Sequence, residues 1–152
     1  MGAYELVSQS LMRFADFGGR ASRAEYWTFV TIVLVAQAAA RLGDAMLGDG
    51  AFVTGPIALA TGGLLFVPAV SVTLRRLHDI DRSSRDLVIP CFLTLAAPLT
   101  LLLGSDVRRV LAIVYGAVTA AMIGRLLVLL ARKGSSAANP YGENPAFPAF
   151  GR

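Results

Sequence analysis

The chain has 152 residues, of which 55% are apolar and only 16% are charged. Its mean hydropathy of +0.62 excludes an ordinary soluble domain, in which about a quarter of the residues are charged. The net charge of +4 therefore indicates contact with the lipid bilayer rather than with nucleic acid, and a single cysteine, Cys91, excludes an intrachain disulfide.

The first predicted element is an amphipathic helix over residues 3–17. Tyr4, Val7, Leu11 and Phe14 recur at helical spacing, and the polar side chains between them point largely the other way. We expect this helix to lie in the membrane interface against the bundle. A cytosolic helix packed on the loops is the alternative.

Four apolar spans follow along the chain. They cover about residues 26–47, 52–74, 87–103 and 107–131, and a polar tail occupies residues 132–152. The second span has no charged residue, and at about 1.5 Å per residue it can cross a hydrocarbon core about 30 Å thick. The sequence therefore predicts a single all-α domain, an integral membrane four-helix bundle.

Two spans are preceded by the same helix-start pattern. Ser22 and Glu25 form one capping box before the first span, and Ser83 and Asp86 form a second before the third. In this pattern the hydroxyl and the carboxylate bind backbone N–H groups that the first helical turn leaves without partners. We therefore predict two capped helix N-termini on the same side of the membrane.

The fourth span carries small residues at a spacing that lets helix backbones approach closely. Gly116, Ala120 and Gly124 recur every four residues, and Ala117 and Ala121 do the same on a neighbouring stripe. Packing within the bundle is the preferred interpretation. A homo-oligomer joined through these small residues is the alternative.

The polar stretch over residues 75–86 fixes the predicted topology. Eight of its twelve residues are Arg, Asp or His, and a charge at the bilayer centre costs at least about 2.5 kcal/mol, so the stretch is predicted to be a loop at one membrane face. Together with the N-terminal segment and the tail it holds ten Lys and Arg residues, against three on the opposite side. Both termini are therefore predicted to be cytoplasmic.

Three polar stretches, over residues 19–27, 75–83 and 139–145, resemble the motifs of a known family. They read GRASRAEYW, RRLHDIDRS and NPYGENP, in that order around the four spans. Nearly the whole chain thereby resembles the small bacterial inner-membrane proteins called domain of unknown function 805. That pattern favours Gly-Arg-Ser-Gly-Trp where residues 81–85 here read Asp-Arg-Ser-Ser-Arg. The resemblance implies a multi-pass inner-membrane protein without an assigned activity.

The predicted topology brings these stretches to one cytoplasmic surface, which we call the polar cluster. Because opposite charges alternate within it, the preferred interpretation is a structural clasp that holds loop and tail on the bundle, or an interaction surface. The alternative is that spare arginine capacity, with helix N-termini at Ser22 and Ser83, binds an anionic lipid headgroup or another phosphate ligand. The cluster comprises Arg20, Arg23, Glu25, Arg75, Arg76, His78, Asp79, Arg82, Ser83, Asn139, Tyr141 and Asn144.

The sequence predicts no catalytic residue, no metal site and no cofactor. His78 is the only histidine, and in a helix its side chain would diverge from that of Asp79 by about 100°, which separates a candidate acid from a candidate base. An oligomeric transporter would need polar side chains at mid-depth, and few are present besides Gln37. Arg125, the one charge well inside a span, either extends to the interface or reaches the polar cluster.

Overall fold

The structure, a computed structural model, describes residues 12–47, 55–96 and 105–142. Within these ranges the chain forms four helices and no strand, so the predicted all-α class is confirmed for this part. The helices are α1 (Arg23–Met46), α2 (Pro56–Asp79), α3 (Arg85–Ala96) and α4 (Ser105–Ala131). In the same ranges, three segments are long and apolar enough to cross a membrane: α1, α2 and Arg109–Ala131 of α4.

Helices α1 and α2 form a hairpin, and each of them has a side-chain cap at its N-terminus. At the start of α1, the Ser22 hydroxyl accepts a hydrogen bond from the Glu25 N–H at 3.1 Å, as the capping pattern predicts. Near the end of α1, Asp44 is only 1% exposed and accepts hydrogen bonds from the N–H groups of Ile57 at 2.9 Å and Ala58 at 2.8 Å. Since the first turn of a helix has no internal acceptor for its donors, α1 caps α2 from across the connection.

The predicted loop over residues 75–86 is wrong for its first five residues, because α2 continues to Asp79. Beyond that point the N–H of Arg82 donates to the Leu77 carbonyl at 2.9 Å and the N–H of Asp81 donates to the His78 carbonyl at 3.1 Å. This Schellman ending puts Asp81 in the left-handed region, at φ 57°. Glycine is preferred at such a position, and it is the residue that the family pattern has there.

The predicted capping box at the start of α3 is not formed. Among the described residues the Ser83 hydroxyl has no hydrogen-bond partner, and the Asp86 carboxylate lies 3.0 Å from Nη2 of Arg125 on α4. The helix begins at Arg85, so Ser84 and not Ser83 directly precedes it, and the N–H groups of Leu87 and Val88 donate to the Ser84 carbonyl. Through its pair with Asp86, Arg125 reaches the polar stretch. The described part of α3 ends at Ala96, and the remainder of the predicted third span, residues 97–103, lies outside the described residues.

The small residues of α4 do not pack inside the bundle. The face that contacts the other helices includes Tyr115, whose hydroxyl donates to the Leu93 carbonyl, and the partly buried Leu126. Gly116 and Gly124 lie outside this face, and a Cβ added at either would meet no atom within 4 Å. The preferred interpretation of this stripe is therefore wrong for the described chain.

The N-terminal segment packs against α2. The Ser71 hydroxyl lies 3.2 Å from the carbonyl oxygen of Arg13 and 2.6 Å from that of Asp16, just after a turn at residues 13–15. Residues 3–11 of the predicted amphipathic helix lie outside the described residues, and over residues 13–17 the chain forms a turn and no helix, so the predicted end at residue 17 is wrong. The interfacial role of this helix stays a prediction.

The core lies at one end of the bundle. It is formed by the start of α1, the end of α2, the start of α3 and the end of α4, so all four helices converge where the polar stretches meet. Most outer positions of the helices are exposed and apolar, as lipid-facing surfaces are. The core residues are Ala21, Tyr26, Phe29, Val72, Leu77, Leu87 and Leu130.

Candidate functional site

Arg20 joins the N-terminal segment both to α2 and to the tail. It is 4% exposed, and its Nε donates a hydrogen bond to Oδ1 of Asp79 at 2.9 Å. Its Nη1 donates to the carbonyl of Ala137 at 2.8 Å and its Nη2 to that of Ser135 at 2.6 Å. The planar, forked donor set of arginine allows one side chain to bind three acceptors in different parts of the chain.

Asp79 accepts from a second arginine on its own helix. Arg76, which is fully buried, donates from Nη1 to Oδ2 of Asp79. It also donates from Nε to the Leu130 carbonyl at 3.0 Å and from Nη2 to the Arg132 carbonyl. Two guanidinium groups therefore share one carboxylate, and carbonyl oxygens at the end of α4 bind the remaining donors of Arg76. We call Arg20, Arg76 and Asp79 the buried triad.

A separate ion pair ties the start of α1 to the end of α2. Arg75 is fully buried and donates from Nη1 to Oε1 of Glu25 at 2.7 Å, while its carbonyl accepts from the Ala21 N–H at 3.0 Å. Its Nε and Nη2 have no hydrogen-bond partner among the described residues. Unlike the arginines of the triad, Arg75 uses only part of its donor capacity.

The tail docks on the last turn of α2. The rings of His78 and Tyr141 are stacked, with centroids 3.9 Å apart and planes inclined by 3°. The Asn139 side chain donates to the His78 carbonyl at 2.8 Å, and Nδ1 of His78 lies 3.2 Å from the carbonyl oxygen of Gly19. Because a carbonyl only accepts, Nδ1 carries the proton. His78 thus contacts the N-terminal segment and the tail at the same time.

The tail begins at a position that has no room for a side chain. A Cβ at Gly134 would overlap the carboxylate of Asp79, and the next N–H, that of Ser135, donates to the Asp79 carbonyl at 2.8 Å. Further on, Asn139 and Gly142 exchange two backbone hydrogen bonds of 3.1 and 3.0 Å, which close a tight turn. Gly134 and this turn together let the tail carbonyls face Arg20.

The structure brings together eight of the twelve residues of the polar cluster. Arg23, Arg82 and Ser83 are exposed and stand apart from these contacts, and Asn144 lies outside the described residues. Of the five arginines in the predicted polar cluster, Arg20, Arg75 and Arg76 are buried and therefore not available to a headgroup, whereas Arg23 and Arg82 are exposed. The eight converging residues are Arg20, Glu25, Arg75, Arg76, His78, Asp79, Asn139 and Tyr141.

Sequence reasoning did not predict the tail carbonyls that bind Arg20, nor the capping of α2 by Asp44. The carbonyls of Ser135 and Ala137 bind Arg20, but a carbonyl is present at every residue and leaves no pattern in the sequence. Gly134 is the one available signal, since a lone glycine directly after a basic helix end is typical of a position with special backbone or steric demands. Asp44, between Gly43 and Ala45, carries no comparable signal.

Exposed cationic side chains lie at the end of the bundle that contains the buried polar residues. Five exposed Arg and Lys side chains lie at this end of the bundle, and none forms an ion pair within the described part of the chain. Among the described residues at this end, Asp81 is the exposed acid without an ion pair, since Asp16 pairs with Arg13 and Asp86 with Arg125. The surface is therefore strongly basic. The five cations are Arg23, Arg82, Arg85, Arg132 and Lys133.

The side chains of this site bind one another and backbone carbonyls. Both oxygens of Asp79 are occupied by guanidinium groups, while the neighbouring His78 faces a carbonyl and a tyrosine ring. They therefore do not form an acid–base pair. Over the described ranges, no three side chains of His, Cys, Asp or Glu gather as a metal-ligand set.

A peripheral ion pair fixes the N-terminal segment locally. Nη2 of Arg13 lies 2.6 Å from Oδ2 of Asp16, and both side chains are partly exposed. The hydrogen bond from Arg13 lowers the pKa of the Asp16 carboxyl below its ordinary value, and the N–H of Gly18 adds to this effect. The segment that enters the site through Arg20 is therefore ordered by its own short-range contacts.

Comparison with protein families gives a match over most of the chain. The family model described as "Protein of unknown function (DUF805)" matches residues 14–143. This range includes every described contact of the buried triad and of the docked tail.

Two curated relatives are inner membrane proteins of Escherichia coli strain K12. The inner membrane protein YhaH is 40% identical over 75 residues, which are 49% of this chain and 62% of the relative. The inner membrane protein YhaI is 36% identical over 74 residues, which are 48% of this chain and 59% of the relative. The matched stretch thus spans about three fifths of the length of these relatives. No solved structure matches the chain.

Proposed function

The chain belongs to the DUF805 family of proteins of unknown function, and on that premise we propose that its buried polar residues act as a clasp. The clasp consists of the eight converging residues named above, and it holds the N-terminal segment and the tail on the cytoplasmic ends of the helices. The protein is a membrane protein, as its apolar helices and inner-membrane relatives indicate. We infer that the clasp gives this protein one fixed cytoplasmic surface for interaction with other molecules.

One observation carries the proposal. The Arg20 guanidinium binds Asp79, which is 59 residues away in the chain, and the carbonyl of Ala137, which is 117 residues away. Packing of apolar helices alone does not require such contacts. In a bilayer, moreover, lipid tails are as apolar as leucine, so apolar burial does little to choose one arrangement of helices over another. A buried polar network can make that choice, since an arrangement of helices that separated its partners would leave buried charges unpaired.

The proposal includes an orientation with both termini in the cytoplasm. Its support is the excess of Lys and Arg at this end of the bundle, where α1 begins and α2 and α4 end. A single-cysteine variant tests it, with Ala138→Cys introduced at an exposed tail position and Cys91→Ala removing the natural thiol. We expect an impermeant thiol reagent to label this variant in inverted vesicles and not in intact spheroplasts. Labelling from the outer face would contradict the orientation.

The clasp itself is tested by replacing Arg20. In Arg20→Gln the tail loses the charged donor that binds its carbonyls, and each lost charge-assisted hydrogen bond favours the released state by about tenfold. We expect trypsin to cleave the purified variant in detergent after Lys133 at least about tenfold faster than the parent chain, because the tail then opens more often.

Arg23→Gln is the matched control for this experiment. It removes the same charge three residues along the chain, but from an exposed side chain outside the clasp. Its tail should be cleaved at the parent rate. Equal cleavage rates for Arg20→Gln and Arg23→Gln would show that Arg20 does not hold the tail, and the clasp would have to be abandoned.

A second candidate function is electrostatic binding of anionic phospholipid at this face. The observation that favours it is the set of five exposed cations, of which Arg23 and Arg82 belong to the predicted polar cluster and the other three do not. Each Lys or Arg near an anionic membrane surface contributes about 1 kcal/mol. Because the chain is embedded in the membrane, binding to nanodiscs with and without phosphatidylglycerol does not test this function. The suitable measurement is the amount of phospholipid that remains bound to the purified protein in detergent.

Self-association through α4 is a further partner proposal. It is supported by Gly116 and Gly124, whose open surroundings leave room for the backbone of a neighbouring helix. The variant Gly124→Leu, with Val128→Leu as control on an exposed position of the same helix, tests it by native mass spectrometry. Loss of an oligomer only in the glycine variant is the expected result. A monomeric parent chain would remove the proposal.

A further inference from the structure

An apolar groove opens between α2 and α3 on the outside of the bundle. Its volume is about 320 Å³, and its walls are formed by Phe66, Val70 and Leu74 on α2 and by Leu87 and Cys91 on α3. A second space of about 250 Å³, between α3 and α4, shares Phe66 and Cys91 with the first. The two spaces therefore lie next to each other, one on each side of α3.

The length of the groove along α2 is close to the thickness of the hydrocarbon part of one membrane leaflet. From Phe66 to Leu74 the α2 wall extends for eight residues, or about 12 Å at about 1.5 Å per residue. Half of a hydrocarbon core about 30 Å thick is about 15 Å. Leu74 and Leu87 lie at the end where the four helices converge, so the groove runs from that face toward the middle of the membrane.

Positively charged side chains lie near the end of the groove at which the four helices converge. Arg85 begins α3, two residues before Leu87, and Arg82 lies in the preceding loop; both are exposed and neither forms an ion pair with a described residue. The acid closest in sequence to the groove wall, Asp86, is neutralised by Arg125 at 3.0 Å. Asp81, which is also exposed, offsets only part of this charge.

We propose that the groove binds one anionic phospholipid of the cytoplasmic leaflet. An acyl chain occupies the groove beside α3, and the phosphate lies at Arg82 and Arg85. Arginine suits this role because its fork matches the oxygens of a phosphate. The proposal deepens the second candidate function and rests on the proposed orientation only for the choice of leaflet. It does not depend on the clasp, whose arginines are buried elsewhere.

Retention of lipid by the purified full-length protein tests the inference. The protein is relipidated with equal amounts of phosphatidylglycerol and phosphatidylcholine, returned to mild detergent and analysed by native mass spectrometry. We expect one phosphatidylglycerol molecule to remain bound. The double variant Arg82→Gln/Arg85→Gln should retain it at least about fivefold less, the effect of a single lost contact of about 1 kcal/mol. Arg132→Gln/Lys133→Gln, which removes the same charge from the exposed end of α4, should retain it at the parent level.

A second pair of variants tests the groove. Val88 is an exposed residue of the groove wall, so Val88→Trp places a large ring in the groove. Val128→Trp places the same ring at an exposed position of α4 that does not line the groove. Only Val88→Trp should lower retention, and it should do so for both lipids. Equal effects of the two tryptophans, or of the two double variants, would overturn the inference in favour of diffuse surface binding. A lipid-free dimer would assign the groove to a second copy of the chain and would overturn it as well.

The tail-cleavage assay separates this inference from the clasp. Arg82→Gln/Arg85→Gln leaves every described contact of Arg20 in place, so its tail should be cleaved at the parent rate. Arg20→Gln should conversely leave lipid retention unchanged. Either proposal can therefore fail while the other stands.

Discussion

Replacing Asp79 by asparagine removes the charge on which the buried triad depends. The carboxylate accepts two charge-assisted hydrogen bonds, from Nε of Arg20 at 2.9 Å and from Nη1 of Arg76, and Nη2 of Arg20 lies 2.9 Å from the same Oδ1. At about 1.5–2 kcal/mol each, the two hydrogen bonds account for about 3–4 kcal/mol. This agrees with the loss of about 3–5 kcal/mol that follows when a buried ion pair is broken and its partner stays buried. We therefore expect Asp79→Asn to lower the free energy of unfolding by about 4 kcal/mol.

The assay is unfolding of the purified protein in mixed micelles by added SDS. Trp27 is the only tryptophan and lies in the first turn of α1, beside the clasp, so its fluorescence reports the loss of structure there. Asp81→Asn is the control, because it makes the same chemical change two residues away on an exposed side chain, where about 0.5 kcal/mol or less is expected. Transition midpoints that coincide for the two variants would refute the energetic role assigned to the triad.

Three further predictions concern single positions. Gly134→Ala should release the tail, because its Cβ would overlap the Asp79 carboxylate, and trypsin cleavage after Lys133 should then accelerate; Gly116→Ala, which faces open space, should have no such effect. Asp81→Gly should raise the free energy of unfolding by about 0.5–1 kcal/mol in the SDS assay, because glycine adopts a φ of 57° without strain. Asp44→Ala should lower it by about 1–2 kcal/mol, since two N–H groups of α2 lose their acceptor, and Asp44→Asn should retain about half of that contribution; no loss in the alanine variant would contradict the capping role.

The proposed clasp gives buried charge a specific use in this architecture. Along most of their length the helices present exposed apolar side chains, and only at one end do all four share a core. The ion pairs of Asp79 and Glu25 lie at that end, next to apolar core residues such as Leu77. In the proposed clasp a wrong helix pairing would leave these charges without partners, so the polar contacts would select the arrangement that the apolar surfaces leave open.

This chain differs from the family pattern at residue 81, where the backbone conformation favours glycine. Asp81 occupies the left-handed end of α2, and aspartate is one of the few non-glycine residues that tolerate that region. The Schellman ending is therefore kept without glycine. The tryptophan of the pattern is replaced by Arg85, which adds a cation beside the proposed lipid groove.

Local features of the fold could be predicted from the sequence because they depend on neighbouring residues. The apolar runs indicated α1, α2 and α4 by length and composition, and Ser22 marked the start of α1 correctly. The same reasoning failed at Ser83, because α3 begins one residue later, at Arg85; the pairing of Asp86 with Arg125, 39 positions further along the chain, also leaves no local pattern. That reasoning also ended the second span too early, since charges at residues 75–79 were assumed to face lipid or water.

The sequence by itself determined that this is a helical membrane protein with its charge concentrated in three stretches, because hydrophobicity and charge are properties of residues and not of their arrangement. Only the tertiary structure decided which arginines are buried and which remain free. Arg20 and Arg82 are the same residue type in similar polar stretches, yet one is enclosed by Asp79 and the tail while the other is exposed. That difference depends on partners that are brought together only when all four helices converge, and no local pattern carries it.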